Sequence, residues 1–294
     1  MARYTLENTF LRAEVDTHGA ELKSLLRKPD GREMMWQGDP AFWGRTSPVL
    51  FPVVGCYRDK TSYYKDKAYS MGQHGFARDM EFTLDSQTEE ELWFSVTDNE
   101  ETHEKYPFKF RLSLGYTLRE NTLIVHWRVT NTDGETMYFS IGGHPAFACD
   151  LNHSRLCFWE EGGETCPDQL SVGIIEGDGS GCLSDRTKEL PLSDGFLKLS
   201  DELFDEDALI VEGKQAASVT LYERGEQLLY VEMPGAPLFG IWSPAGKHAP
   251  FVCIEPWFGR CDRVDFDQKL EEREYGNTLE PGADFETSYT ITVA

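Results

Sequence analysis

Alternation of apolar and polar residues is the dominant pattern along this chain. From Phe108 to Leu118 an apolar side chain stands at every second position, and Thr122–Thr130 is rich in β-branched residues before a turn sequence at 131–134. A period of two places alternate side chains on opposite faces of a sheet, so both segments are predicted to be strands with one buried face. Further segments of similar composition are also predicted to be strands: 91–97, 137–141, 251–254 and 285–293.

Helical signals are few and short. Asp39–Pro40 favours a single helical turn, because Asp caps a helix and Pro fits its first position. A second turn is predicted at 101–105, and Phe266–Glu274 is the one longer helix predicted. The glycine-rich stretch Glu160–Ser184 is predicted to be a long surface loop. Many closely spaced strands with little helix favour an all-β sandwich or barrel, and the lack of a Pro/Ser-rich linker predicts a single domain over residues 1–294.

Composition narrows the possible partners. The chain has 28 Lys and Arg against 51 Asp and Glu, a net charge of −23, which argues against binding to nucleic acid or to an anionic membrane surface. No apolar run approaches the roughly 18 residues of a membrane-spanning helix, and the N-terminus lacks the apolar segment of a signal peptide. Seven cysteines without a C-x-x-C pair indicate reduced thiols. We therefore expect a cytoplasmic protein.

Three residues carry the strongest chemical signal. His74 and His144 each lie among glycines and aromatic residues, where a backbone can turn sharply or approach a ligand closely. Glu255 directly follows the apolar strand 251–254, so burial is expected to raise its pKa towards neutrality, where carboxyl groups serve as bases. Each residue also has an ordinary structural interpretation, as a turn histidine, a loop histidine or a strand-end glutamate. Together they suggest acid/base chemistry on a small polar substrate.

Four further residues are candidates for substrate contacts. Arg45 is a lone cation among apolar and small residues, and Arg78 lies four positions after His74. Asp207 enters a predicted strand after an acidic turn, where a carboxylate can accept sugar hydroxyls. Trp242 offers a flat apolar face to a sugar ring. The competing interpretations are an interior salt bridge for Arg45, a solvated turn for Asp207 and core packing for Trp242.

Other chemistries have weaker support. The chain contains no H-E-x-x-H sequence and its histidines are widely spaced, so no metal site is predicted. The glycines at 177–181 lack a following lysine, which argues against a phosphate-binding loop. Glu255 with Asp207 or Asp262 would suit a glycosidase pair, but that interpretation leaves the two glycine-flanked histidines without a role.

Five segments in order resemble the aldose 1-epimerase family, the galactose mutarotase-like proteins. They are Arg45 with 47–52, His74-Gly75-Phe76-Ala77-Arg78, Gly143-His144-Pro145, 207–210 and Ile254-Glu255-Pro256-Trp257. The resemblance implies a large antiparallel β-sandwich, the galactose mutarotase-like supersandwich, with a sugar cleft on one sheet. It implies cofactor-independent interconversion of the α and β anomers of a hexose. By position it makes Glu255 the base, His144 the acid and His74 a second catalytic histidine near the ring oxygen, with Arg45 and Asp207 holding hydroxyls.

One departure leaves the substrate open. Well-studied mutarotases carry His-Gly-Gly where this chain has His74-Gly75-Phe76-Ala77-Arg78, a form similar to that of hexose-6-phosphate 1-epimerases and of a less characterised mutarotase-like branch. A phosphate would require cations, and the candidates are Arg45, Arg58, Lys60 and Arg78, although the charge of −23 opposes a dianion. The alternatives are therefore a hexose-6-phosphate 1-epimerase, or a carbohydrate-binding regulatory protein without turnover.

Overall fold

The computed structural model describes residues 2–294, and strands dominate it. In chain order the strands are β1 (Arg3–Glu7), β2 (Leu11–Asp16), β3 (Leu22–Arg27), β4 (Arg32–Glu33), β5 (Val49–Leu50), β6 (Thr61–Tyr64), β7 (Lys67–Ser70), β8 (Thr83–Gln87), β9 (Glu91–Thr97), β10 (Phe110–Arg119), β11 (Thr122–Asn131), β12 (Met137–Phe139), β13 (Ile141–Gly143), β14 (Ala146–Ala148), β15 (Ser154–Trp159), β16 (Gln169–Ile175), β17 (Leu183–Pro191), β18 (Phe196–Lys198), β19 (Leu209–Glu212), β20 (Ser218–Glu223), β21 (Glu226–Glu232), β22 (Leu238–Trp242), β23 (Phe251–Phe258), β24 (Asn277–Leu279) and β25 (Asp284–Val293).

Helical structure within residues 2–294 is short. The α-helix α1 (Glu100–Lys105) is capped by the Asn99 side chain, which accepts from the Thr102 backbone N–H. The remaining helical segments are single 3₁₀ turns at Arg58–Lys60, Ala77–Asp79, Leu151–His153, Asp201–Phe204 and Leu270–Glu272. None of these helices is long and apolar enough to cross a bilayer.

Two large antiparallel sheets form a β-sandwich, which confirms the predicted fold class. One has nine strands in the order β18-β15-β20-β21-β25-β11-β10-β9-β8, and the other runs β17-β16-β19-β22-β23-β13-β5, with β14 also paired to β23. A single apolar cluster contains buried residues of both sheets, such as Leu112 and Val129 from the first and Val252 and Ile254 from the second. The core therefore lies between the inner faces of the two sheets.

The N-terminal strands β1 to β4 form a separate four-stranded sheet. Its buried residues Leu6, Leu11, Ala13 and Val15 belong to the same apolar cluster. Two small ladders, β6-β7 and β12-β24, complete the strand pairing.

Most strand predictions agree with the structure, but the predicted strand at 137–141 is divided at Ser140 into β12 and β13, which belong to different sheets. The segment 91–97 coincides with β9, and the predicted strand at 122–130 is β11. Along the β10–β11 ladder Leu112 pairs with Val129 and Leu114 pairs with Trp127, and all four residues are buried. The alternating positions in the sequence therefore correspond to the face of the sheet that packs in the core. The predicted turn at 101–105 is α1, and the segment after Asp39 is a hydrogen-bonded turn closed by the Phe42 N–H to the Asp39 carbonyl.

Two predictions were wrong. Phe266–Glu274 is not a helix beyond the turn at Leu270–Glu272, because Gln268 has a φ of 69° and its carbonyl accepts from the Tyr63 N–H on β6. Tertiary hydrogen bonds replace the helical ones there. Glu160–Ser184 is not one loop, since β16 forms inside it with Leu170, Val172 and Ile174 buried. The surrounding glycines hid this short alternation.

Candidate active site

A cavity of about 760 Å³ opens on the outer face of the eight-stranded sheet, within the range of roughly 300–1,000 Å³ typical of small-molecule sites. Strands β19, β22 and β23 supply its floor through Ile210, Trp242, Glu255 and Trp257. All seven residues that the sequence singled out line this one cavity: Arg45, His74, Arg78, His144, Asp207, Trp242 and Glu255.

Strand pairing brings Glu255 and His144 together. Gly142 pairs with Trp257 and Ala146 with Cys253, and continuing this antiparallel register places His144 opposite Glu255. His144 is fixed on its other side by its backbone N–H, which donates to the Pro48 carbonyl at 3.1 Å. The resulting separation between His144 Nε2 and Glu255 Oε1 is 3.4 Å.

Glu255 is held in an apolar setting. Its side chain is 1% exposed, and its neighbours along β23 on the same face are Cys253 and Trp257. Burial raises the pKa of Glu255 well above its ordinary value, while the Trp257 indole lowers that pKa and the charge of Asp207 raises it. Neither Glu255 Oε2 nor Trp257 Nε1 reaches a hydrogen-bond partner within the described residues. Burial therefore favours the protonated form of the carboxyl.

Aromatic rings fix the orientation of His144. Trp43 stacks on the imidazole with ring centroids 4.6 Å apart, and Trp242 meets it edge-on at 5.4 Å. Burial, with a contribution from the positive charge of Arg78, lowers the pKa of His144 to about 3. Since the pKa of Glu255 is raised and that of His144 is lowered, burial favours the neutral form of each group, with the proton on the carboxyl.

A sharp turn presents His74 to the same place. His74 adopts a φ of 65°, which histidine tolerates better than most residues, and Gly75 follows with a φ of 72°. A Cβ on Gly75 would lie 2.1 Å from the Phe51 carbonyl oxygen, so only glycine fits against that strand. The His74 ring stands perpendicular to that of His144, with centroids 5.6 Å apart.

The hydrogen bonding of His74 determines its tautomer. The Gly55 N–H donates to His74 Nδ1 at 3.1 Å, so Nδ1 is an acceptor. Burial and the proximity of His144 hold the pKa of His74 well below its ordinary value, which keeps the ring neutral. A neutral imidazole that accepts at Nδ1 carries its proton on Nε2. His74 is therefore a neutral hydrogen-bond donor rather than a cation.

Two of the cavity arginines, Arg45 and Arg78, differ in how fully they are paired. Arg45 donates to Asp79 Oδ1 at 2.8 Å, an ion pair that the sequence had left as an alternative. Arg78 donates to the Gln73 carbonyl at 2.7 Å, while its buried Nε has no hydrogen-bond partner within the described residues. Burial lowers the pKa of Arg78 to about 10, and the charge of Arg45 contributes. Arg78 also lies beside Asp79, with its Nε 3.9 Å from Asp79 Oδ2, and keeps a buried N–H that can donate to a ligand.

The opposite wall of the cavity is acidic. Asp207 is exposed, has a φ of 73°, and uses Oδ1 to accept from the Ala208 N–H. Glu176, Asp205 and Glu206 line the cavity beside it, and Glu206 binds Arg186 at 3.0 Å. This wall offers acceptors to hydroxyl groups and repels anions.

Three residues considered from the sequence lie outside the cavity. Asp262 is buried and accepts from Arg273 Nε at 2.7 Å, so it is not available as a glycosidase partner of Glu255. Arg58 donates to the Phe266 carbonyl and Lys60 lies at a different surface depression, so neither can contact a phosphate in this cavity. Of the four candidate phosphate ligands, only Arg45 and Arg78 line it.

Sequence reasoning missed other lining residues. Trp43 was assigned only to a turn, yet it stacks on His144 and meets Trp242 edge-on at 5.6 Å. Gly55 was not noticed, although its N–H sets the His74 tautomer. Gly240 was also missed: a Cβ there would lie 2.5 Å from the Trp257 ring, so only glycine leaves room for that indole. The one available signal was the density of Gly and Trp residues beside the predicted strands.

The arrangement has the parts that proton transfer on a sugar requires. A buried carboxyl and an imidazole lie 3.4 Å apart, and a neutral imidazole donor stands beside them. Trp43 and Trp242 provide apolar walls, and the acidic side supplies hydroxyl acceptors. His144, Cys253 and Glu255 also bring three metal-ligating atoms within 4.8 Å of one another.

The fold and this cavity together indicate a protein of the sugar-epimerase class. Comparison with known proteins indicates the same class. The profile of the aldose 1-epimerase family matches residues 2–292, so the chain belongs to that family of isomerases of carbohydrate metabolism. Among known proteins, the chain is similar to the chromosomal protein LacX of Lactococcus lactis subsp. lactis, with 32% identity over 302 residues that cover 98% of each chain.

Two solved structures are also similar. A galactose mutarotase related enzyme from Lactobacillus acidophilus superposes with a TM-score of 0.91 at 37% identity, covering 100% of this chain and 97% of the other. A galactose mutarotase-like protein from Lactobacillus casei superposes with a TM-score of 0.90 at 29% identity, covering 100% of both chains.

Proposed function

We propose that this protein is an aldose 1-epimerase that interconverts the α and β anomers of a free, uncharged hexose. The observation that carries the proposal is the buried pair of His144 Nε2 and Glu255 Oε1, 3.4 Å apart in a cavity of sugar size. Family membership supports the same reaction class.

The reaction moves two protons at two sugar oxygens. In ring opening, Glu255 takes the proton of the C1 hydroxyl while His144 gives a proton to the ring oxygen, and the C1–O5 bond breaks. The open aldehyde rotates about C1–C2. In closure, Glu255 returns its proton to the aldehyde oxygen and His144 takes the proton of the C5 hydroxyl as the C1–O5 bond re-forms on the other face. Protons and electron pairs balance over the cycle, and no cofactor enters it.

The favoured proton positions on Glu255 and His144 are those needed for the ring-closing step. With Glu255 protonated and His144 neutral, the pair is set to give a proton to the aldehyde oxygen and take one from the C5 hydroxyl. Opening needs the proton on His144 instead. Donation from the C1 hydroxyl to Glu255 stabilises the carboxylate, which lowers the pKa of Glu255 and moves the shared proton towards His144. His74 donates through Nε2 to a neighbouring sugar oxygen.

The charges of the cavity favour an uncharged sugar over a hexose 6-phosphate. Arg45 and Arg186 are already ion-paired with Asp79 and Glu206, and Arg78 Nε lies 3.9 Å from Asp79 Oδ2. A phosphate dianion would have to displace these partners while facing the acidic wall. Asp207 and Arg78 instead suit hydroxyl groups, and Trp242 suits the apolar face of a sugar ring.

Polarimetry on freshly dissolved α-glucose and α-galactose tests the proposal. We expect both rotations to relax faster than in buffer, and hexose 6-phosphates in the same assay to relax at the buffer rate. Glu255→Gln and His144→Asn should each lower turnover by about 10²–10⁴-fold, the usual contribution of a general acid or base. Glu89→Gln is the matched control, because it removes one exposed carboxylate outside the cavity by the same chemical change.

Two outcomes would contradict the proposal. Sugar binding without faster relaxation would point to a carbohydrate-binding regulatory protein on the same scaffold. Turnover of hexose 6-phosphates in preference to free hexoses would support the proposed chemistry but show that the proposed substrate is wrong.

A further inference from the structure

We propose that a borderline divalent cation, with Zn²⁺ as the best-suited ion, binds at the floor of the cavity through His144 Nε2, the Glu255 carboxylate and the Cys253 thiolate. The ion is an inhibitor rather than a cofactor, because it occupies the lone pairs that would move protons. The binding site stands on its own geometry; only the inhibition rests on the proposed function.

The three ligand atoms are already close to coordination geometry. All lie within 4.8 Å of one another, and His144 Nε2 is 3.4 Å from Glu255 Oε1. With Zn–N and Zn–O near 2.0 Å and Zn–S near 2.3 Å, a tetrahedral site separates its ligands by roughly 3.3–3.6 Å. The imidazole and carboxylate therefore need no displacement, and the thiol needs to approach by at most about 1 Å. Among residues 2–294, no other three His, Cys, Asp or Glu side chains bring their ligand atoms within 4.8 Å of one another.

Sheet register, not a sequence motif, creates this group. Cys253 and Glu255 are two residues apart on β23 and share a face, and His144 lies opposite Glu255 across the ladder that joins Gly142 to Trp257 and Ala146 to Cys253. Two of the side chains thus stand on β23, and the third stands on the two-residue link between β13 and β14 beside it. Ligands on such rigid elements lose little entropy when an ion binds.

An unpartnered polar atom marks the same spot as a ligand site. Cys253, Glu255 and His144 are 0%, 1% and 7% exposed, respectively. Glu255 Oε2 is buried without a hydrogen-bond partner in the described residues, and buried polar groups rarely remain so unless something binds them. A cation at Glu255 satisfies the carboxylate directly.

The ligand set selects the class of ion. Thiolate and imidazole favour Zn²⁺ and Co²⁺, whereas Mg²⁺ and Ca²⁺ prefer oxygen ligands alone. Coordination converts the Cys253 thiol to a thiolate and the Glu255 carboxyl to a carboxylate, and the released protons go to the buffer. Three protein ligands leave the fourth position open towards the cavity, where a sugar hydroxyl or water completes the tetrahedron.

The binding experiment uses Co²⁺ added to the metal-stripped full-length protein. We expect one equivalent to give a near-ultraviolet thiolate-to-cobalt charge-transfer band that Zn²⁺ abolishes by displacement. Cys253→Ala should lose the band, and Cys253→Ser provides a second variant, with circular dichroism verifying the fold of both. Cys149→Ala is the matched control, since Cys149 is also buried and lies near Cys253 without belonging to the group.

The inhibition experiment uses the polarimetric assay. We expect Zn²⁺ to inhibit in competition with the sugar, chelation to restore turnover, and Mg²⁺ to have no effect. Cys253→Ala should raise the inhibitory Zn²⁺ concentration at least about tenfold, a loss of roughly 1.4 kcal/mol or more. Absence of the cobalt band in the wild type, or an unchanged band in Cys253→Ala, would overturn the site. A normal cobalt band in a protein that shows no epimerase turnover would support the metal site and contradict the proposed function.

Discussion

Replacing Glu255 by glutamine should make the protein more stable while abolishing its proposed activity. The carboxyl is 1% exposed, and burial raises its pKa well above the ordinary value of 4.5. A carboxyl that is ionised in the unfolded chain but protonated in the folded one must take up a proton on folding. That uptake becomes more costly as the pH rises, so stability is greatest below pH 4.5 and is lost as the pH increases towards the folded-state pKa.

The magnitude follows from the unfolded-state pKa alone. For a carboxyl that keeps its proton in the folded state, the cost at pH 7 is about 2.5 pH units times 1.36 kcal/mol, or about 3 kcal/mol. At pH 5 the unfolded carboxyl is partly protonated and the cost falls to about 1 kcal/mol. Glutamine has the same shape and no proton to take up. Glu255→Gln should therefore gain about 3 kcal/mol at pH 7 and only about 1 kcal/mol at pH 5.

Urea unfolding followed by tryptophan fluorescence at pH 5, 6 and 7 measures this difference. Asp205→Asn controls for the change in net charge, because it removes an exposed carboxylate from the same cavity. A constant offset between Glu255→Gln and the wild type over this range would refute the reasoning, since it would mean that folding does not change the protonation of Glu255. A stability gain coupled to lost turnover would identify a carboxyl retained for function at the expense of stability.

Three further outcomes follow from the structure. If one proton on the Glu255 pair is required, kcat/KM should stay flat from pH 5 to 7 and fall only on the alkaline side; a decline below pH 6.5 would instead indicate a histidine of ordinary pKa. Gly240→Ala should lower the free energy of unfolding by roughly 1–3 kcal/mol in urea titrations, because its Cβ would stand 2.5 Å from the Trp257 ring; an unchanged midpoint would show that the ring can move freely. Asp262→Asn should cost about 3–5 kcal/mol by the same measurement, because it leaves the buried Arg273 guanidinium unpaired, and a loss below 1 kcal/mol would contradict this account.

The strands and the candidate site differ in how far sequence could predict them. Segments such as 91–97 and 122–130 can be predicted as strands from their local sequence alone. This is because alternation of buried and exposed side chains is a property of consecutive residues. The helix predicted at Phe266–Glu274 failed because Gln268 is bonded to β6, more than 200 residues earlier in the chain, and no local pattern reports such a partner.

The site residues were found as residue types, not as a geometry. Glycines beside His74 and His144 and an apolar strand before Glu255 marked these positions as unusual, and the family resemblance placed them together. No unusual sequence context distinguished Trp43 and Cys253, because an aromatic residue in a turn and a cysteine in a buried strand are common in β-proteins.

The sequence by itself determined the all-β class, the positions of several strands, the acidic charge and the candidate residues for proton transfer, because each depends on composition or on neighbours along the chain. Only the tertiary structure decided that His144 stands opposite Glu255, that Gly55 sets the tautomer of His74, and that Asp262 serves Arg273 instead of the cavity. Those relations depend on the register of strands far apart in the chain, and a shift of one residue would turn each side chain to the other face of its sheet.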